Sequence, residues 1–402
     1  MILADLGAAL QAALADAIAV GELPDSAARA QPSGTWRPVP AAGGGGPGTY
    51  ATSLPFTITP GASRPDPSNV RPDPARTATI LAPRLATATW IAAARVTGPG
   101  YLAITVTTAH LAGLAPRIVA AGPRCATSTA LAGRRVPIAP AGPAPAPDWP
   151  RAWRSRHEEL TGALASAAGA TVIPTRSQRI RAPGSGGQPG ASPESAAIAY
   201  YGVDAVRYAL ARAASPDAAA IEAQLRRPLD LANPFTAVTH ACLDAAATRR
   251  RAADLGLARR TPDPAGPARP PGPEDLPAPP ASGQPQGQTD PGAAWTTAPA
   301  ELRLLDELAW LPERVAAAAR RTRPAELTAQ LERIAAAWLD CREQCPALPF
   351  GGGGAPADPA GPLAAARLIL ADATHVALLT GLRLLGVHPP VPHPPVPHPP
   401  GR

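Results

Sequence analysis

Three long runs with helical apolar periodicity crowd the last hundred residues, and they confine that part of the chain to a helical bundle. They span Leu304–Arg321, Arg323–Cys345 and the stretch from Leu363 to Gly386. In the middle run Leu327, Leu331, Ile334, Trp338, Cys341 and Cys345 alternate spacings of four and three, which is one face of an α-helix. The third run is almost wholly apolar and is stopped by Gly386 and then by Pro389 and Pro390.

Upstream the signals are mixed. Ile2, Leu6, Leu10, Leu14 and Ile18 recur every four residues and predict an amphipathic first helix ended by Gly21. A Gly/Pro-rich segment follows, then the helical-looking run 86–96 (ATATWIAAARV). The β-branched run Tyr101–Thr108 reads as a strand after Gly98-Pro99-Gly100. Residues 137–150 and 182–195 are linkers by composition, and between them Trp149–Ala170 predicts one helix with Trp153 and Leu160 on its apolar side. Ser192-Pro193 and Asn233-Pro234 each supply an N-cap and a first-turn proline, opening helices toward Tyr200-Tyr201 and over Pro234–Asp254. Residues 261–300 read as a disordered insertion, 351–362 as a flexible connector, and the His-Pro-Pro-Val-Pro tail (391–402) as extended polyproline II.

All 37 basic residues are arginine. The missing lysine excludes a P-loop and a Schiff base. Charge is uneven, because residues 124–260 hold 18 arginines against 10 acids. Such an excess suits phosphate contact through counterion release, although a solubilising surface needs nothing more. Four cysteines in 402 residues make no disulfide framework. The N-terminal run lacks a basic leader region and is interrupted by Asp5 and Asp16. With no other long uncharged apolar run, a cytoplasmic protein without membrane contact is expected.

The order of the C-terminal runs, together with Gly202-Val203-Asp204-Ala205-Val206-Arg207-Tyr208, resembles the DALR anticodon-binding bundle of arginyl-tRNA synthetases. Residues 1–122 resemble the N-terminal extra domain of the same family. Gly48-Thr49-Tyr50-Ala51-Thr52-Ser53 stands for its GDYATN-like segment, and Gly98-Pro99-Gly100-Tyr101-Leu102-Ala103 for its GPGFIN-like turn. Thr49 replaces an aspartate there and Ala103 an asparagine. The resemblance implies an α+β N-terminal domain (1–122), a linker with one helix (123–195) in place of the nucleotide-binding catalytic domain, and an all-α bundle (196–390) carrying the insertion. It also implies tRNA as the partner, with the N-terminal domain on the outer corner of the tRNA.

The chemistry of those synthetases is not legible here. No two of His110, His157, His240, His375, His388, His393 and His398 stand three apart, as the family's HIGH signature requires, and without lysine there is no KMSKS loop. The expected class is therefore a non-catalytic protein related to arginyl-tRNA synthetase that lacks the catalytic domain and uses no cofactor or metal. Cys341 and Cys345 have a spacing that two metal ligands could share, but they continue the apolar stripe and read as core. Arg249-Arg250-Arg251 closes the helix begun at Pro234, where cations offset the helix dipole and could also meet phosphate. Where the family has a tyrosine, a histidine and an arginine, this chain has His240, Cys242 and Asp244; Gln330 and Arg342 stand where tyrosines are common. Expected RNA contacts are Arg207, Asn233, His240, Arg249, Arg250, Arg251 and Arg342. Arg207 alternatively serves packing at the start of its helix. Duplex DNA is not an expected partner. Two further expectations are a protein-docking role and an accessory subunit supporting aminoacylation by a separate synthetase.

Overall fold

The computed structural model describes residues 1–39, 45–58, 73–138, 146–174, 192–257, 298–348 and 361–389. The predicted insertion, the connector and the proline tail therefore lie almost wholly outside the described residues. The described chain is mostly helical, with a small sheet region in its N-terminal part.

Helix α1 (Ile2–Ala19) buries Ile2, Leu6, Leu10 and Leu14. After it come β1 (Trp36–Pro38), β2 (Thr49–Thr52), a single turn α2 (Leu54–Thr57) and α3 (Pro74–Leu85). Strands β3 (Ile91–Thr97) and β4 (Tyr101–Val106) complete an antiparallel sheet in the order β1-β2-β4-β3. The helical expectation for 86–96 is thus corrected. Residues 86–90 turn, and Ile91–Thr97 is a strand paired with β4 from Ile91↔Val106 to Thr97↔Tyr101. The alanines of this run favour helix only locally. Ladder bonds and the burial of Ile91 decide the outcome, as tertiary context commonly does with weak propensities.

Two short helices follow, α4 (Thr108–Ala112) and α5 (Leu114–Ala121), and then β5 (Arg135–Ile138), α6 (Trp149–Ala167) and β6 (Thr171–Pro174). The middle segment therefore holds more than a helix. β5 and β6 pair in parallel, Arg135↔Thr171 through Ile138↔Pro174, with α6 as the crossover that parallel strands require. Gly162 lets α6 lie against β5, since a Cβ there would collide with the Ile138 side chain.

Seven helices form the remainder: α7 (Pro193–Tyr201), α8 (Val203–Arg212), α9 (Ala218–Leu225), α10 (Pro234–Asp254), α11 (Pro299–Arg321), α12 (Ala325–Gln344) and α13 (Pro362–Leu384). Thr322, in the left-handed region at φ 53°, reverses the chain between α11 and α12. α13 packs against α5, α10 and α12. By length and composition α1 and α13 are apolar enough to cross a membrane, yet in the fold their apolar residues fill the core.

The N-terminal sheet and the bundle share one hydrophobic core, which joins Leu6, Tyr50 and Leu102 to Leu308, Trp310 and Leu378. Tyr50 meets Trp310 with ring centroids 5.6 Å apart. Beside them the carboxylate of Asp306 accepts the Gly48 backbone N–H at 3.0 Å. The fully buried Tyr50 hydroxyl faces the same carboxylate, outside hydrogen-bond geometry. Burial raises Asp306 from 3.8 to about 6.

Candidate nucleic-acid interface

Asn233 opens α10 as a cap. Its side-chain oxygen accepts the Phe235 N–H at 3.1 Å, and its Nδ2 donates to the Arg227 carbonyl at 3.4 Å. With only 6% of its surface exposed, Asn233 holds the loop and helix start together and presents little to a ligand. One face of α10, carrying Val238, Ala241, Cys242 and Ala245, packs into the bundle, while His240 remains exposed. The stripe on α12 from Leu327 to Cys345 is buried throughout, as its spacing implies.

Between α10 and α12 a polar contact fixes the edge of the site. Asp244, 9% exposed, accepts the Trp338 indole N–H at 3.0 Å and an Arg342 N–H at 2.5 Å. The resemblance puts Asp244 where the synthetases have an arginine and Arg342 where tyrosines are common. The two departures from the resemblance thus compensate each other as an ion pair. Arg342 keeps 46% of its side chain exposed, so part of its donor fork still faces outward.

Trp338 and Arg342 border a cavity of about 790 Å³, with Arg367 and Leu370 of α13 on its wall. His240, Arg251 and Arg342 line it together with Trp338 and Leu348. Arg367 also lines it, tied to the fully buried Glu301 at 2.8 Å and to the Pro346 carbonyl at 2.9 Å. The acids on the same wall are Asp340, which pairs with Arg303 at 3.0 Å, and Glu343. The cavity sets the exposed His240 imidazole beside guanidinium donors, a combination that can stack a base while contacting its phosphate.

The structure divides the seven candidate residues. It brings His240, Arg251 and Arg342 together around one cavity. Arg250 is exposed on the adjoining turn of α10, and neither Arg250 nor Arg251 has an ion-pair partner among the described residues. Arg249 pairs with Asp372 of α13 and keeps 56% of its side chain exposed. Arg207 is not at this cavity: it donates to the Gly386 carbonyl at 2.9 Å. Asn233 and Arg207 are thus engaged in contacts within the fold, which for Arg207 is the packing alternative. Sequence reading missed Asp244 and Trp338 as the pair that positions Arg342. The only local signal was an acid placed on an otherwise apolar face of α10.

Cys341 and Cys345 lie in the core, and burial pushes the Cys341 thiol far above its ordinary range. Among the described residues no group of three or more His, Cys, Asp or Glu side chains is arranged to hold a metal ion. In the N-terminal unit Thr49 and Ala103 are both buried in the sheet, whereas Phe56 and Tyr101 form a partly exposed ring pair 4.9 Å apart.

Comparison with known proteins finds likeness in the bundle and beyond it. Residues 281–391 match the DALR anticodon binding domain family. Over 189 residues the chain is 30% identical to the arginine–tRNA ligase of Frankia alni, covering 47% of this chain and 28% of that protein. With the arginine–tRNA ligase of Micrococcus luteus the identity is 32% over 193 residues, covering 48% and 30%. The chain is thus related to arginine–tRNA ligases over about half its own length and spans less than a third of theirs.

Proposed function

We propose that this protein binds tRNA through the cavity between α10, α12 and α13 and does not itself form an aminoacyl-adenylate. The observation that carries the reading is the convergence of His240, Arg251 and Arg342 on one cavity whose α12 and α13 walls lie in the residues matched to an anticodon-binding family. The chemistry of the whole chain supports the second half. It contains no lysine and no pair of histidines three apart. Between the N-terminal sheet and the bundle, the described residues hold one parallel strand pair and its crossover helix. Two strands make no open parallel sheet with a crevice at a switch point, which is where such folds hold nucleotides.

Replacement of the family tyrosines by His240 and Arg342 keeps stacking surface and adds donors, so the reading predicts retained RNA affinity with altered base preference. The test is tRNA binding by His240→Ala and Arg342→Ala, alongside arginine-dependent ATP–pyrophosphate exchange. Weakened tRNA binding with no exchange activity supports the proposal. Exchange by the purified chain, or tRNA affinity untouched by both substitutions, contradicts it.

A further inference from the structure

Helix α7 ends at Tyr201, and Gly202, at φ 85°, turns the chain into α8. This reversal leaves Tyr200 with 81% of its surface exposed, an unusual position for a large ring. Tyr201 meets it edge to face at 4.7 Å and 76°. The two tyrosines border two adjoining cavities of about 490 and 370 Å³, which share Tyr200, Tyr201, Leu225 and Arg226. Tyr200 is thus a wall common to both hollows.

The larger hollow is also lined by a second aromatic pair. Tyr208 and Phe235 stand with centroids 5.6 Å apart, and the Tyr208 hydroxyl donates to Glu332 at 3.2 Å. Two acids near the hollow are already paired, while the carboxylate of Asp230, in the loop between Leu229 and Leu231, accepts only the Ala232 backbone N–H, at 3.0 Å, among the described residues. Glu332 pairs with Arg212 at 2.8 Å, and Glu222 is held by Arg226 at 2.6 Å and by the Trp149 indole N–H at 3.1 Å. Arg227 lines the hollow, is exposed, and has no ion-pair partner among the described residues. Gln224 lines it too, with a buried amide oxygen that has no hydrogen-bond partner.

We infer that this cleft is a second nucleotide site, which takes an unpaired RNA base on Tyr200 with its phosphate on Arg227. It deepens the RNA reading of the protein and rests on it. A planar ring open to solvent, an uncompensated guanidinium and an unsatisfied amide match the face, the phosphate and the polar edge of a nucleotide. The loop from Arg226 to Asn233 separates this cleft from the α10–α12 cavity. Exposed Leu229 lines the cleft on one side and exposed Leu231 lines the cavity on the other. A single strand crossing that loop places one base on each side, splayed apart by the leucines.

The test uses the full chain with a short single-stranded RNA carrying 4-thiouridine, read by photocrosslink mapping and by equilibrium binding. Tyr200→Ala, Tyr200→Phe and Arg342→Ala are compared, and an unchanged thermal transition checks folding. The expected result is a crosslink on Tyr200 or Tyr201, about tenfold weaker binding by Tyr200→Ala, and affinity close to wild type for Tyr200→Phe, because the ring face stacks and the hydroxyl does not. Unchanged affinity in Tyr200→Ala, with binding weakened by Arg342→Ala and crosslinks confined to that cavity, overturns the cleft and leaves the RNA reading standing. No RNA binding by the wild-type chain overturns both. A crosslinked, Tyr200-dependent site that is equally affected by Tyr200→Phe contradicts stacking as its basis.

Discussion

Arg207 donates to the carbonyl oxygen of Gly386 at 2.9 Å, so the arginine of the DALR-like motif clamps the end of the last helix. Arg156, from α6, donates to the neighbouring Leu385 carbonyl and pairs with Glu159 at 2.6 Å. Two guanidiniums thus meet the carbonyl-rich, electronegative end of α13, where cations are favourable. The contact joins the middle segment, the start of the bundle and its last helix.

Replacing Arg207 by Ala is expected to cost about 2 kcal/mol, the usual range for a hydrogen bond to a charged group. RNA affinity at a temperature where the variant is folded is expected to stay unchanged. Urea denaturation and tRNA binding measured on the same sample check both halves. A large loss of affinity in a variant of unchanged stability would return Arg207 to the RNA surface.

Gly386 completes the same end of α13. Its φ of 60° is left-handed, and a Cβ there would lie 2.7 Å from Arg156 Nη2. Gly386→Ala therefore combines backbone strain with displacement of the arginine. A loss of at least 1 kcal/mol is expected, against a near-neutral Gly133→Ala only if φ alone were harmless; since Gly133 has φ 78° with open space around it, the difference between the two variants isolates the arginine contact. Equal losses in urea denaturation would show that the arginine contact adds nothing.

Asp306 gives the stability a distinct pH dependence. Its folded value of about 6 lies above its ordinary 3.8, so between those values the folded state binds more protons than the unfolded one. Stability from this group therefore falls as pH rises from about 4 to 6, and above 6 the buried ionised carboxylate opposes folding by about 2–3 kcal/mol. Asp306→Asn keeps an acceptor for the Gly48 N–H and removes the titration. The difference in unfolding free energy between variant and wild type is expected to grow across that window and to plateau above it. A difference independent of pH would contradict the assignment.

The Asp244 contact predicts coupling between α10 and α12. Asp244→Ala strands the buried Trp338 indole N–H and is expected to cost about 1–3 kcal/mol, whereas Arg342→Ala, at a half-exposed side chain, costs less than about 1 kcal/mol. A double-mutant cycle is expected to show a positive interaction energy in stability. In tRNA binding, Asp244→Ala should reproduce much of the Arg342→Ala defect because it releases that side chain. Additive effects on both readouts would show that Asp244 does not position Arg342.

What was legible in the sequence was local or periodic. Asn233-Pro234 marks the start of α10 because a cap and a first-turn proline act within three residues. The α12 stripe marks a buried face because burial follows helical period. The strand at 91–97 was hidden by its alanines, since only pairing with β4 makes it a strand. β5 and β6 were hidden for the same reason: each has four residues, and they meet across the whole length of α6. At the candidate site, His240 and Arg342 stood out through the resemblance. The Asp244–Trp338 contact joins positions 94 residues apart, and the acid on the apolar face of α10 does not say which residue it meets. The Tyr200 cleft is likewise assembled from α7, α8, α9 and the start of α10.

The most direct test of the account is a titration of the full chain with arginine tRNA, a non-cognate tRNA and duplex DNA, each over a salt series. The account predicts tRNA binding tighter than duplex DNA that persists above about 150 mM salt, with a slope reduced by about one in Arg251→Ala. Equal affinity for all three, lost together as salt rises, would mean that the arginine excess acts only as a diffuse positive surface and would contradict tRNA recognition.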